Sequence, residues 1–211
     1  MSKTVILSVM YTEPEWNQTL ERIECCHDFD KVFVDRGGVG SLAKAYNDGF
    51  KQIPSNTDYV WFVSNVLFDP EILKRLIGKM GETGFAAIHP SFDNSDHLFC
   101  RSNGSDDVLS VPFVEFTAPI VRYDAFKNHM LDEDMPYWGH DLDWGNRVRN
   151  AGYKIGVDHG CKIGHEYIRN AGSEWPDTII RRELRKKTDG QTTRALERKY
   201  GKKWRELLKW T

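Results

Sequence analysis

Residues 31–63, KVFVDRGGVGSLAKAYNDGFKQIPSNTDYVWFV, decide the fold class. They open on an apolar run, Val32-Phe33-Val34, that stops at Asp35. A glycine-bearing loop (36–40) leads into a helical stretch at 41–51, and residues 59–63 form a second run of β-branched and aromatic residues. Short apolar strands alternating with helices are the pattern of an α/β sheet. The pattern extends outward on both sides. Residues 5–10 read as a strand, followed by a helix with good start signals. Thr12 is placed as N-cap with Glu15 three residues on, Tyr11 and Trp16 stand where a hydrophobic staple closes, and Pro14 fits the first turn. After the strand at 59–63, Asp69-Pro70-Glu71 reads as N-cap, N1 and N2 of another helix. Residues 85–89 read as a fourth strand.

The second half changes character. Residues 91–110 are polar and aperiodic, a loop or a hairpin with a glycine-containing turn. Residues 111–121 read as extended despite Pro112 and Pro119, which favours an edge or bulged strand. A short helix at 141–150 is stopped by Gly152 at C′, and a strand follows at 153–157. From about residue 192, Leu196, Tyr200, Trp204, Leu207 and Leu208 share one helical stripe with basic residues elsewhere.

Composition narrows the class. The 211 residues are 40% hydrophobic and 28% charged, ordinary for a globular chain of one domain with a small appendage. The net charge of −2 hides an asymmetry: residues 181–211 hold 12 Lys/Arg against 4 Asp/Glu, a surplus of +8, which leaves −10 on residues 1–180. No apolar run approaches the roughly 20 residues that span a bilayer. Residues 1–4 carry one Lys and lead straight into a strand, so they do not read as a signal peptide. Cys25, Cys26, Cys100 and Cys161 form no zinc spacing and read as reduced thiols of a cytoplasmic protein.

Three constellations can carry chemistry. The loop at 36–40 and the helix after it contain G-x-G-x-x-A (Gly38, Gly40, Ala43), which suits a plain structural loop, a nucleotide-contacting loop, or a Rossmann dinucleotide site. The last fits least well, because the match follows the second strand and the next strand ends in Ser64-Asn65, with no carboxylate for a ribose. The second is Trp138-Gly139-His140-Asp141-Leu142-Asp143-Trp144, with two carboxylates at a helix start where the helix dipole favours their charged forms. Such a residue caps the helix, or it takes a proton from a hydroxyl nucleophile. The two tryptophans serve as core or as flat surfaces for a sugar or base. The third is the pair His159 and His165, whose spacing of six suits no helical metal pair. Either is a structural residue or completes an open Mn²⁺ or Mg²⁺ site.

Taken in order, from about residue 3 to residue 165, these segments resemble the family 2 inverting glycosyltransferases of the GT-A fold, which transfer sugar from a nucleotide-sugar. Val5 to Thr12 resembles the first strand and nucleotide-contacting turn, Val34-Asp35 the strand end whose Asp reads the base. Ser41 to Gly49 is similar to the small-residue helix beside the donor, and Tyr59 to Pro70 to the strand, acidic motif and following Asp-Pro. Tyr137 to Tyr153 is similar to the Gly-Glu-Asp-x-Asp…Arg…Ala-Gly-Tyr segment.

The resemblance implies a GT-A, Rossmann-like, mostly parallel mixed sheet flanked by helices over residues 1–170, with a basic helical extension at 171–211 packed on or following it. It implies Asp141 as general base, and Tyr11, Thr12, Asp35, Arg36, Lys44, Asn47, Ser64 and Asn65 along a nucleotide-sugar donor, with UDP the expected nucleotide. A divalent cation (Mn²⁺ or Mg²⁺) would be held by Asn65 and His165, and Trp138, Gly139, His140 and Asp143 would face the acceptor. Two positions depart from the pattern. Asn65 stands where the family places a metal-binding carboxylate, and an amide oxygen supplies no charge. His140 replaces the Glu before the base. The rival readings are a nucleotide-sugar binding module without transfer activity and a Rossmann-type nicotinamide enzyme. The acceptor is a glycan, a lipid-linked sugar or a modified nucleic acid. The basic residues at 181–211 either pack on the domain or steer a polyanion such as nucleic acid or an anionic membrane.

Overall fold

The structure, a computed structural model, describes residues 2–10, 15–35, 41–93, 95, 97–164 and 176–207; the side chains at 10, 15–16, 176–187 and 207 lie outside that description. The expected N-cap Thr12, the staple pair Tyr11 and Trp16, the loop at 36–40, His165 and Leu208 therefore lie outside it too.

Strands β1 (Thr4–Met10), β2 (Asp30–Asp35) and β3 (Tyr59–Val63) pair in parallel with β1 in the middle, Met10 lying opposite Asp35 and Ser8 opposite both Phe33 and Val63. Helices α1 (Glu15–Glu24) and α2 (Leu42–Phe50) make the crossovers. Val5, Ile6, Leu7 and Val9 are all buried, which is why β1 reads as a continuous apolar run rather than an alternating one. Ser41 caps α2, its Oγ accepting from the Lys44 N–H at 3.1 Å. Helix α3 (Ile72–Thr83) starts later than Asp69-Pro70 suggests. The Asp69 carboxylate accepts from the Glu71 N–H at 3.0 Å and makes a turn ahead of the helix instead of capping it.

The remaining elements are β4 (Ala87–Ser91), β5 (Val108–Ser110), β6 (Ile120–Arg122), α4 (Tyr123–Asn128), α5 (His140–Asn150), β7 (Ile155–Lys162), α6 (Pro176–Tyr200) and α7 (Trp204–Leu207). The sheet runs β2-β1-β3-β6-β4-β7-β5, with β5 and β6 antiparallel to the rest. This corrects the reading of residues 111–121 as an edge strand. Pro119 sits just before β6, so its missing N–H costs the ladder nothing, and its carbonyl accepts from Phe62 at 3.0 Å. Strand β6 therefore occupies the sheet's centre, between β3 and β4, and residues 112–119 form a looped passage along the carboxyl end of β3.

Strand β7 bulges where Pro90 pairs with Asp158 but Ser91 pairs with Lys162. Beside the bulge, the fully buried Asp158 takes a two-pronged ion pair from Arg75 of α3, at 2.8 and 2.9 Å. Helix α5 stops at Gly152 as expected, where φ is +89°.

The C-terminal segment packs on the domain. Leu196 and Trp204 are fully buried and Ala195 nearly so. Burying a leucine to that extent contributes about 1.5–3 kcal/mol. The expected single stripe is interrupted by the turn at Gly201, and Trp204 regains the core from the far side of it. Among the described residues no helix is long and apolar enough to cross a membrane.

Candidate active site

The carboxyl end of β3 and the start of α5 both reach residues 116–117. The carbonyl of Thr117 accepts from the Ser64 N–H at 2.9 Å, just past the end of β3. The carbonyl of Phe116 accepts from the Tyr46 hydroxyl of α2 at 2.9 Å, and the Phe116 ring packs edge-on to His140 (6.2 Å) and Trp144 (5.2 Å). The start of α2 joins the same region, since Leu42 donates its N–H to the Pro136 carbonyl at 2.8 Å. Ser64 and His140, the sequence neighbours of Asn65 and Asp141, thereby contact one stretch of chain, and Ser41 caps the helix that bonds to it through Tyr46.

Asn65 has φ +38°, a left-handed conformation that asparagine tolerates better than most residues. It is 6% exposed, and its Oδ1 has no hydrogen-bond partner among the described residues. Its neighbours hold it from both sides: Val66 exchanges hydrogen bonds with the Thr19 hydroxyl of α1 (3.0 and 3.1 Å), and Leu67 with the backbone of Gly164 (2.8 and 2.7 Å).

Asp141 lies in the first turn of α5, half-buried. Its Oδ1 accepts from the next backbone N–H, Leu142, at 2.9 Å, and its second oxygen has no hydrogen-bond partner among the described residues. The motif reading passed over Glu115. Burial pushes the Cys100 thiol well above its ordinary value, and the negative charges of Glu115 and Asp141 add to that. Glu115 also accepts from the Ser95 hydroxyl at 3.2 Å. The signal in the sequence was a lone acid within the otherwise apolar Val111–Val121 run.

The other expected site residues make the following contacts. Asp143 is fully buried, and its oxygens are taken by Arg147 (2.7 Å), Lys199 (2.7 Å) and Tyr200 (2.6 Å), which ties α5 to α6. Asn47 is buried and holds Leu131 by two hydrogen bonds (2.9 and 3.1 Å) and Glu133 by a third (3.0 Å). Lys44 pairs with Asp48 on the exposed side of α2. Trp138 donates to Asp189 of α6 at 2.6 Å and packs near Trp204 (6.1 Å), while Trp144 is wholly core. Gly139 is the N-cap of α5, at φ +83°. His140 is buried, with Nδ1 3.1 Å from the Met135 carbonyl. Asp35 is exposed at the end of β2, and His159 is buried in β7. Tyr11, Thr12, Arg36 and His165 lie outside the described residues.

No family model and no curated protein matches the chain. Solved structures do. GalNAc-T7, solved with UDP, GalNAc and Mn²⁺, superposes over 89% of this chain and 54% of its own, with a TM-score of 0.57 and 7% identity. The catalytic domain of Drosophila β1,4-galactosyltransferase 7, solved with xylobiose, matches over 85% of this chain and 79% of its own (TM-score 0.55, 14% identity). The fold is GT-A-like. A mutant form of the Drosophila enzyme holding manganese, UDP-Gal and xylobiose matches to the same degree, and A197 from STIV follows at TM-score 0.53 and 8% identity. The chain spans about half the length of GalNAc-T7. At these identities the likeness is one of fold.

A divalent cation can be tested against the residues present. Among the described residues, Asn65 offers one buried, unpartnered amide oxygen, but no three His, Cys, Asp or Glu side chains converge. The described residues therefore do not make a cation site by themselves.

Proposed function

We propose that the chain is an inverting glycosyltransferase that moves a sugar from a nucleotide-sugar, with UDP the expected nucleotide, to an acceptor hydroxyl. Asp141 carries the reading: a half-buried carboxylate in the first turn of α5, one oxygen anchored by the Leu142 N–H and the other without a partner among the described residues, on the helix that packs against Phe116. The unengaged oxygen takes the acceptor's proton as the hydroxyl oxygen attacks the anomeric carbon. The bond from that carbon to the diphosphate breaks, its electron pair leaving with the nucleotide. In an open α/β sheet the donor lies across the carboxyl ends of the strands, which puts Asp35 at the base, Ser64 and Asn65 under the diphosphate, and Arg36 with the turn residues Tyr11 and Thr12 along the nucleotide. A Mn²⁺ or Mg²⁺ ion would need His165 beside Asn65 and would offset the charge on the leaving diphosphate. Trp138, Gly139 and His140 border the acceptor side, and the acceptor is a glycan, a lipid-linked sugar or a modified nucleic acid.

A positioned base contributes typically 10²–10⁴-fold. Asp141→Asn is thus expected to lower transfer by about that factor while UDP affinity, measured by calorimetry, stays within about threefold. Retained turnover removes Asp141 from the base role. The neutral Asn65 favours a second reading, a nucleotide-sugar binding module. Calorimetric binding of UDP, with or without Mn²⁺, and no donor hydrolysis or transfer to any acceptor would support it.

A further inference from the structure

We propose that the C-terminal helix α6 is the positioning element for the reactive carboxylate, with Tyr200 and Lys199 acting through Asp143 to fix the first turn of α5. The inference rests on the reading of Asp141 as the base.

Three positions in the Trp138–Asp143 segment are held from α6. Trp138 donates its indole N–H to Asp189 at 2.6 Å. Gly139 lies so close under α6 that a Cβ there would stand 2.7 Å from Cγ2 of Thr192 and 3.4 Å from Cδ1 of Leu196. Asp143 receives the Tyr200 hydroxyl at 2.6 Å and the Lys199 ammonium at 2.7 Å. His140 and Asp141 lie between two of these anchors. Gly139 as N-cap brings no side chain to the turn's free N–H groups, and inside the turn only Asp141 bonds one, that of Leu142, so contacts from α6 bear on the turn's place.

The anchor at Asp143 differs in kind from surface pairing. A carboxylate wholly withdrawn from water needs its oxygens filled by donors, and Arg147 supplies one of three. Burial and the bond to Asp143 push the Tyr200 phenol far above its ordinary value. Burial alone would lower Lys199, but its bonds to Asp143 and Asp132 outweigh it and raise it. Both groups stay protonated donors across the ordinary pH range. A second layer ties the same helix to the loop before α5, with Lys199 on Asp132 (2.9 Å) and Arg198 on Asp134 (2.6 Å).

The test uses the full chain with Tyr200→Phe, which keeps the ring and removes the hydroxyl, and Lys199→Met beside Lys199→Arg, which retains the cation. Three quantities are read: hydrogen exchange of the 138–146 backbone against β1 and β3, UDP affinity by calorimetry, and the split of kcat from KM in donor turnover. The expected result is faster exchange confined to 138–146 in Tyr200→Phe and Lys199→Met, UDP affinity within about twofold of wild type, kcat down by roughly 10²-fold with KM for donor unchanged, and recovery in Lys199→Arg. Unchanged exchange in both variants, or exchange that rises equally in β1 and β3, overturns the positioning role. Should the wild-type chain turn over no donor, the proposed function fails while the exchange measurement still decides the role of α6.

Discussion

Two aspartates two residues apart share a helix turn and have opposite fates. Asp141 is half-buried and keeps an oxygen without a partner among the described residues, whereas Asp143 is buried with three donors. Their order in the motif was legible in the sequence, because carboxylates at a helix start stand out. Their division of labour was not, because Lys199 and Tyr200 lie more than fifty residues on and nothing local marks them as partners. Gly145 illustrates the same limit: it reads as an unremarked helix residue, yet α5 crosses the 112–113 segment there at close range. A Cβ would stand 2.7 Å from Phe113 Cβ and 2.9 Å from the Phe113 Cα and the Pro112 carbonyl oxygen. Because the obstacles include backbone, Gly145→Ala is expected to cost about 1–3 kcal/mol, although alanine is the better helix former. Urea denaturation checks this, and an unchanged or raised midpoint would show that the crossing can relax.

At the scale of elements, the first half of the fold was legible almost strand by strand, since parallel strands covered on both faces read as unbroken apolar runs. The second half was not. Strand β6 is three residues long and preceded by prolines, so local rules sent it to an edge, while pairing on both sides puts it at the centre. That misplacement also hid Glu115, which belongs to the looped passage leading into β6. The bulge in β7 depends on another distant pair, Arg75 and Asp158. Removing one partner of a buried ion pair leaves a charge without compensation, at a cost of about 3–5 kcal/mol. Arg75→Met is expected to fall near that range because fully buried Asp158 loses both of its Arg75 bonds. Arg122→Met, which breaks an exposed pair with Asp124, is expected to cost no more than about 1 kcal/mol. Equal losses for the two would contradict the assigned burial.

Across the whole molecule, the charge surplus of the C-terminal segment finds part of its match inside the chain. Arg198 and Lys199 lie against Asp132, Asp134 and Asp143, so these two are committed to the domain before any polyanion arrives. The sequence exposed the imbalance but not where it is neutralised. Global stability should also carry a proton signature. Burial, then the nearby Arg147, holds the His129 imidazole below its ordinary 6.5. The folded protein thus resists a proton that the unfolded chain accepts, and the contribution is complete above pH 6.5 and is lost as pH falls toward the depressed folded value. The urea midpoint should decline as pH falls below 6.5, and His129→Gln should flatten the slope. Burial would raise the Asp132 carboxyl, but its bonds to Lys199 and the Asp134 N–H outweigh burial and hold it low. Its own loss of stability is therefore confined below pH 3.8 and does not blur that window. An identical slope in the variant would assign the effect to other groups.

The hydrogen bond from Tyr200 to Asp143 spans 57 residues of chain, and that separation has a meaning in time. A ribosome makes Asp143 and its neighbour Arg147 well before it makes Lys199 and Tyr200. Throughout that interval the nascent chain holds a carboxylate that the finished fold buries, with one of its three partners in hand. Folding of the sheet can run ahead, but the turn bearing Asp141 stays unsettled until α6 has been synthesised. Order of synthesis thereby becomes order of assembly, with the reactive turn closing after the sheet on which it rests.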